Sequence, residues 1–300
     1  MADEKQITAV AEALLVLAPG KINLSLLVGR RRSDGFHQVE TVMAKINLYD
    51  EVFIEHSGEN TIEVISKGPY WAPQGKDNVI HTACAMLLES CHRQAGVRLT
   101  LTKNMPAGSG LGSASSDAAA TLIGVNKLLH LRLTRKQLSS LAARVGSDVA
   151  FFLDGPLAFC TGKGEKIKKL KKKFDFICLL LLPDVSVSTK SIYDSFRQNT
   201  AVYDRLSRQI KVLLRKNRID LVAQMCANML QTTTVNEYRE LADLRNRIES
   251  SGLPAVCLSG SGSAMFMLTD KGNRQHIDEL QSKLNKHINC KTIVVENNRW

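Results

Sequence analysis

The chain has 300 residues, 44% hydrophobic and 23% charged, which excludes a disordered polymer and leaves room for two packed domains. Its formal charge of +11 suits anionic ligands, from small phosphorylated molecules to nucleic acid. No apolar run approaches a membrane span, and the start Met-Ala-Asp-Glu-Lys is acidic where a signal or transit peptide would be basic, so a cytoplasmic protein is expected. The seven cysteines, Cys84, Cys91, Cys160, Cys178, Cys226, Cys257 and Cys290, form no Cys-x-x-Cys pair and read as reduced, buried thiols. Neither a zinc-ligand spacing nor His-Glu-x-x-His occurs. The charge is densest from Lys166 to Lys173, without interleaved aromatics for base stacking, and reads as a solvated strand end and turn.

In chain order, Ala9–Leu17 leads into a first strand in which Ile22, Leu24, Leu26 and Val28 alternate with Lys21, Asn23 and Ser25, placing Lys21 beside Asn23 on one face. The turn Asp34-Gly35-Phe36-His37 precedes strands around Val39–Leu48, Val52–Glu55 and Thr61–Ile65. Asp77-Asn78 caps a predicted helix through His92, and Val97–Thr102 is a strand. A glycine–serine loop follows, then a helix from Ser113 to about Leu129; Thr134 and Gln137 form a capping box for the next, which closes near Gly146. Val149–Leu153 is a short apolar helical run, and Leu157–Thr161 with Glu165–Leu170 a hairpin. Beyond the lysines come a buried strand Ile177–Leu182 and three or four helices between Thr189 and Ser250. Strands Ala255–Leu258 and Ala264–Leu268 flank a second small-residue loop, Ser259–Ser263, and a helix and the strand Lys291–Glu296 finish the chain. The basic turn at Lys168–Phe174 is the domain boundary, giving an N-terminal unit 1–170 and a C-terminal unit 171–300.

The strongest chemical signal is Pro106-Ala-Gly-Ser-Gly-Leu-Gly-Ser-Ala-Ser-Ser116. Gly108, Gly110 and Gly112 let backbone approach a ligand closely, and the following helix offers free N–H groups and a positive dipole end to phosphate. Ser113, Ser115 and Ser116 add hydroxyls within reach of a magnesium ion. No Gly-Lys-Ser/Thr follows, so this is not a Walker A loop, and the alternating glycines are not the dinucleotide fingerprint. Composition alone allows a flexible turn equally; the strand before and the alanine-rich helix after favour phosphate binding. By spacing, Asp148 is an N-cap. Asp117 is either a metal ligand or a solvent-facing helix residue, and the metal-binding side chain is otherwise unassigned.

The order Pro19-Gly-Lys-Ile-Asn23, Pro106–Ser116 and Ser259-Gly-Ser-Gly-Ser263 resembles the three motifs of the galactokinase, homoserine, mevalonate and phosphomevalonate kinase superfamily. Gly20-Lys-Ile-Asn-Leu24, Asp34-Gly-Phe-His37, Gly108-x-Gly-Leu-Gly-x-x-Ser-Ser-Asp117 and Gly146-Ser-Asp-Val149 are similar, more narrowly, to its 4-diphosphocytidyl-2-C-methyl-D-erythritol kinase branch. That resemblance implies an α+β, two-domain small-molecule kinase fold, with an N-terminal ribosomal-protein-S5-like domain and a C-terminal ferredoxin-like α/β domain closing over the substrate. It implies ATP and Mg2+, and transfer of the γ-phosphate to the 2-hydroxyl of a cytidine diphosphate substrate in the non-mevalonate route to isoprenoid precursors. Lys21 and Asp148 would be the catalytic pair. Pro106, Ala107, Gly108, Ser109, Gly110, Leu111, Gly112, Ser113, Ala114, Ser115 and Ser116 would hold ATP, with Lys103 and Asn78 also contacting the nucleotide. Asn23, Phe36, His37, Thr189, Tyr193, Gly260 and Ser261 would meet the substrate, with Phe36 and Tyr193 stacking on the pyrimidine.

Five positions depart from the branch: Ala150 for a proline, Phe36 for a tyrosine, Ser113-Ala114 for a glycine pair and Pro156 for a glycine. None removes a catalytic group. No membrane and no nucleic-acid partner is expected, and the sequence leaves monomer and homodimer both open. Alternatives are a homoserine- or mevalonate-type kinase, a nucleic-acid-binding module, and a non-catalytic sensor, against which the intact Lys21 and Asp148 speak.

Overall fold

The structure is a computed structural model that describes residues 6–10, 12–171, 174–298 and 300. Two long antiparallel strands organise its first half. Strand β1 (Ile7–Val10) pairs with β2 (Ala13–Arg31), and β2 pairs along its length with β3 (His37–His56). The two stretches expected around Val39–Leu48 and Val52–Glu55 are one strand of 20 residues. It stays continuous because its two halves have different neighbours: Thr41–Ala44 pair with Leu157–Cys160, and Glu51–His56 with Val97–Thr102.

Strand β4 (Ile62–Lys67) joins β5 (Val97–Thr102) in parallel, with helix α1 (Val79–Ser90) as the crossover. Asn78 caps α1 by accepting from the Ile80 N–H. Helices α2 (Ser113–Leu128), α3 (Arg135–Val145) and α4 (Val149–Leu153) follow, and the Thr134–Gln137 capping box is present. Strands β6 (Leu157–Thr161) and β7 (Lys166–Lys169) complete a sheet of seven strands. Val16, Val52, Ile54 and Leu99 on this sheet pack with Leu87, Ala118, Leu122 and Phe151 of the helices to form one core. Each fully buried side chain of this kind contributes roughly 1.5–3 kcal/mol.

Strand β8 (Phe176–Leu182) opens a second sheet and is buried throughout. Phe176, Cys178 and Leu180 face Ile22, Leu24 and Leu27 of β2, while Ile177, Leu179 and Leu181 face a third core. Helices α5 (Thr189–Ser195), α6 (Thr200–Arg215), α7 (Ile219–Gln224), α8 (Gln231–Glu237) and α9 (Arg239–Ser250) come next. There are five where three or four were expected, since Asn199 caps α6 and left-handed Asn217 and Cys226 end α6 and α7. Strands β9 (Cys257–Leu258) and β10 (Met265–Asp270), helix α10 (Arg274–His287) and strand β11 (Lys291–Glu296) give the order β11-β8-β10-β9. β9 is shorter than the expected Ala255–Leu258, since only Cys257 and Leu258 pair with β10.

Lys166, Lys168, Lys169 and Lys171 are exposed, as expected for a solvated strand end, while Lys172 and Lys173 lie outside the described residues. Cys84, Cys160 and Cys178 are buried free thiols, and burial pushes Cys84 up to about 12. The expectation of reduced thiols fails for one pair: Cys226 and Cys257 are joined as a disulfide, with Cα atoms 5.6 Å apart. Their separation of 31 residues carries no sequence signal; the left-handed turn at Cys226 is what aims it at β9. Among the described residues no helix is long and apolar enough to cross a membrane.

Candidate active site

The glycines at 108, 110 and 112 all adopt left-handed backbone, with φ of 65°, 75° and 69°, and carry the chain into the N-terminus of α2. This loop is tied to both other motifs. The Lys21 N–H donates to the Leu111 carbonyl at 2.8 Å, and the Ser259 hydroxyl to the Gly110 carbonyl at 3.0 Å. The Ala264 N–H donates to the Ser109 carbonyl at 3.0 Å, and the Asn23 N–H to the Ser259 hydroxyl at 3.4 Å. Three segments distant in sequence therefore form one hydrogen-bonded unit.

Lys21 is buried at its centre. Its ammonium donates to Asn23 Oδ1 at 2.6 Å and to the Gly110 carbonyl at 2.7 Å, and lies 3.9 Å from Asp148 Oδ2. The strand alternation that put Lys21 beside Asn23 is thus observed. Burial lowers the Lys21 pKa, and Asp148 and then Cys160 act against that shift. Gly112 makes room: a Cβ there would meet Lys21 Cε and Cγ at 3.0 Å.

Asp148 sits at the N-cap position of α4, yet it has helical backbone and its side chain caps nothing. The spacing-based N-cap reading is therefore corrected. Its carboxylate, 33% exposed, faces the cleft instead.

That cleft encloses about 740 Å³. Its walls include Lys21, Asn23, Phe36, His37, Asp148, Thr189, Tyr193, Gly260 and Ser261, together with Pro106–Gly110 and Gly112–Ser115 of the loop. The His37 and Tyr193 rings in its lining are 5.6 Å apart, and Phe196 meets His37 edge-on at 6.1 Å. Burial, then Arg31, lowers the His37 pKa, opposed by Asp194, so the imidazole is neutral at neutral pH. Phe36 is 51% exposed, with the Lys163 ammonium 4.7 Å above its ring. Arg31, Lys163 and Lys190 also line the cleft and were missed in the sequence. Their one signal is adjacency, since each stands within three residues of a quoted motif or of Thr161-Gly162.

Four expected contacts are absent from the cleft wall. Leu111 is a core residue, and Ser116 is buried with its hydroxyl unpartnered. Asn78 spends its side chain on Ile80, Pro73 and Ser66 at the start of α1. Lys103 is also buried, donating to Asp50 Oδ2 at 2.5 Å, to Asp117 Oδ2 at 2.7 Å and to the Ser113 hydroxyl. Asp117 therefore does not face solvent, and its Oδ2 is committed to Lys103.

Burial alone would lower the Lys103 ammonium, but Asp117 and Asp50 together raise it above the usual lysine value. Burial pushes the Asp117 carboxyl up to about 8, with Lys103 pulling it back and Asp50 adding to the rise. An unfolded aspartate titrates near 3.9, so between about pH 4 and 8 the folded chain binds the extra proton, and this group's contribution to stability falls as pH rises. Asp117→Asn should flatten that slope. Urea midpoints at pH 5 and pH 8 test this: the variant's loss relative to wild type should be larger at pH 5, and a loss independent of pH would refute it.

Residues 78–156 match the GHMP kinases N terminal domain and residues 210–290 match GHMP kinases C terminal, which makes the chain a small-molecule kinase of that class. A 4-diphosphocytidyl-2-C-methyl-D-erythritol kinase of Bacillus cereus (strain B4264) is 36% identical over 263 residues, 88% of this chain and 90% of the relative. One from Geobacillus sp. (strain WCH70) is 35% identical over 261 residues, 87% and 90% of the two chains. The chain belongs to the 4-diphosphocytidyl-2-C-methyl-D-erythritol kinase family. A crystal structure of 4-(cytidine 5'-diphospho)-2C-methyl-D-erythritol kinase superposes with a TM-score of 0.72 at 28% identity, covering 95% of this chain and 99% of that one. Homoserine kinase from Cytophaga hutchinsonii ATCC 33406 reaches 0.77 at 20% identity, over 97% and 96%, and shows the shared fold. Backbone likeness alone therefore does not choose among substrates.

Proposed function

We propose that the chain transfers the γ-phosphate of ATP to the 2-hydroxyl of 4-diphosphocytidyl-2-C-methyl-D-erythritol, in the non-mevalonate route to isoprenoid precursors. The observation that carries this is the Asp148 carboxylate 3.9 Å from the buried Lys21 ammonium, in a cleft lined both by the glycine–serine loop and by Phe36, His37 and Tyr193. The substrate hydroxyl's O–H bond breaks as its oxygen bonds to the γ-phosphorus and the bridging P–O bond to ADP opens. Asp148 aims that hydroxyl and takes its proton. Lys21, 3.9 Å from that carboxylate, holds the region electrostatically and offsets charge on the phosphoryl oxygens. Residues 1–170 carry the nucleotide and residues 171–300 close over the acceptor.

Magnesium fits this wall only sparingly. Among the described residues no group of three His, Cys, Asp or Glu side chains converges, and the Ser113 hydroxyl is committed to Asp50. The ion would be held chiefly by the nucleotide's phosphates, with Ser115 and Asp148 as the chain's oxygen donors, and would neutralise phosphate charge there. Neutral His37 offers one donor and one acceptor to a pyrimidine edge, while Phe36 and Tyr193 offer faces to stack on. Arg31, Lys163 and Lys190 meet the substrate's diphosphate charge.

Release of ADP from magnesium-ATP with this acceptor tests the proposal. Turnover of homoserine or mevalonate, with none of the cytidine compound, would move the chain to another branch. Phe36→Ala and Tyr193→Ala should each raise the acceptor KM about 10-fold, from the roughly 1–3 kcal/mol of base–aromatic stacking, and leave the ATP KM within twofold. An unchanged acceptor KM in both variants would remove the rings from base recognition.

A further inference from the structure

The phosphate loop enters from β5 and leaves into α2, and one buried carboxylate touches both ends. Asp50, on β3, has no exposed surface. Its Oδ1 accepts from the backbone N–H groups of Asn104, at 2.6 Å, and Met105, at 2.9 Å, immediately before Pro106. Its Oδ2 accepts from the hydroxyl of Ser113, at 2.9 Å, the first residue of α2. Lys103 bridges that oxygen to Asp117 Oδ2, one helical turn further along α2.

We propose that Asp50 is a positioning residue for the nucleotide, holding entry and exit of the phosphate loop at a fixed spacing, with Lys103 and Asp117 bracing it from behind. None of the three lines the cleft, so none touches substrate directly. The proposal rests on ATP as the phosphate donor and is independent of which alcohol accepts the phosphate.

Fold stability does not account for such a cluster. A buried ion group is costly to desolvate, and well-packed apolar residues of the same volume are often as stable. Apolar side chains do not hold two peptide N–H groups and a hydroxyl on one oxygen pair. The three glycines at 108, 110 and 112 make the span between Met105 and Ser113 intrinsically free to wander. A fixed spacing of its ends, added to the hydrogen bonds from Lys21, Ser259 and Ala264 at its middle, removes that freedom before the nucleotide arrives, so less binding energy goes into ordering the loop. The same fixing aims the first N–H groups of α2 at one place, and misplacement by about 1 Å at a reacting centre costs up to 10²-fold.

The test uses the full chain. ATP Kd by calorimetry, the two KM values by ADP release, and Tm are measured for Asp50→Asn and for Leu87→Ala, a destabilised control in the α1 core. Asp50→Asn should weaken ATP binding at least fivefold while the acceptor KM stays within twofold, and Leu87→Ala should change neither. A weakening below fivefold, an equal rise in the acceptor KM, or an equal effect in Leu87→Ala overturns the proposal. If Asp50→Asn does not yield folded protein, the double variant Lys103→Met with Asp117→Asn replaces it under the same fivefold criterion. Failure of the donor assignment itself would show differently, as wild type that binds no ATP.

Discussion

Asp148→Asn should lose turnover by about 10²–10⁴-fold while ATP still binds within a few-fold of wild type. The structure separates these two effects. The Asp148 side chain makes no capping bond to α4, so an amide of the same shape removes little stability. The loop proposed to hold the phosphates is tied to Lys21, Ser259 and Ala264, none of which depends on Asp148 for its loop contact. On the proposed mechanism, what is lost is a negative, proton-accepting oxygen for the acceptor hydroxyl. A second consequence follows on Lys21, whose pKa burial already lowers and Asp148 holds up; in the variant it falls further. Single-turnover ADP release together with calorimetric ATP titration decides the matter. Turnover within 10-fold of wild type would remove Asp148 as the proton acceptor.

Much of this architecture was legible because local chemistry and tertiary context agree. The Asn78 cap, the Thr134 capping box and the strand Val97–Thr102 follow from signals within a few residues, and all three are present. The juxtaposition of Lys21 with Asn23 follows from strand alternation. Other features needed the third dimension. Asp148 satisfies the pattern of an N-cap and is not one, because the carboxylate turns toward a buried lysine more than a hundred residues earlier. The resemblance implies Lys103 as a nucleotide contact, yet Asp50, supplied by a different strand, holds its ammonium in the core. The basic residues Arg31, Lys163 and Lys190 resemble any surface cation until the fold gathers them around one cleft. The helices between Thr189 and Ser250 were under-divided because two of their breaks rest on left-handed Asn217 and Cys226, not on glycine or proline.

Gly110→Ala should be the most damaging single methyl group in the site. Its φ of 75° is left-handed, which costs a non-glycine residue roughly 1–2 kcal/mol by itself. The larger effect is contact: a Cβ at this position would lie 1.9 Å from the Ser259 carbonyl oxygen and 3.2 Å from that of Gly262. Both obstacles are backbone, so no side chain can swing away, and the loops at 110 and 259–262 must separate. Separation breaks the Ser259–Gly110 hydrogen bond and moves the carbonyl that holds the Lys21 ammonium. The expected outcome is a fall in kcat/KM of about 10²-fold or more, with a lowered Tm. Gly252→Ala is the matched comparison, since its φ of 68° is also left-handed but nothing lies within 4 Å of the added Cβ. That variant should lose about 1 kcal/mol of stability and keep its activity. Equal activity in the two alanine variants would mean that the loops at 110 and 259–262 are not held together as the hydrogen bonds between them require.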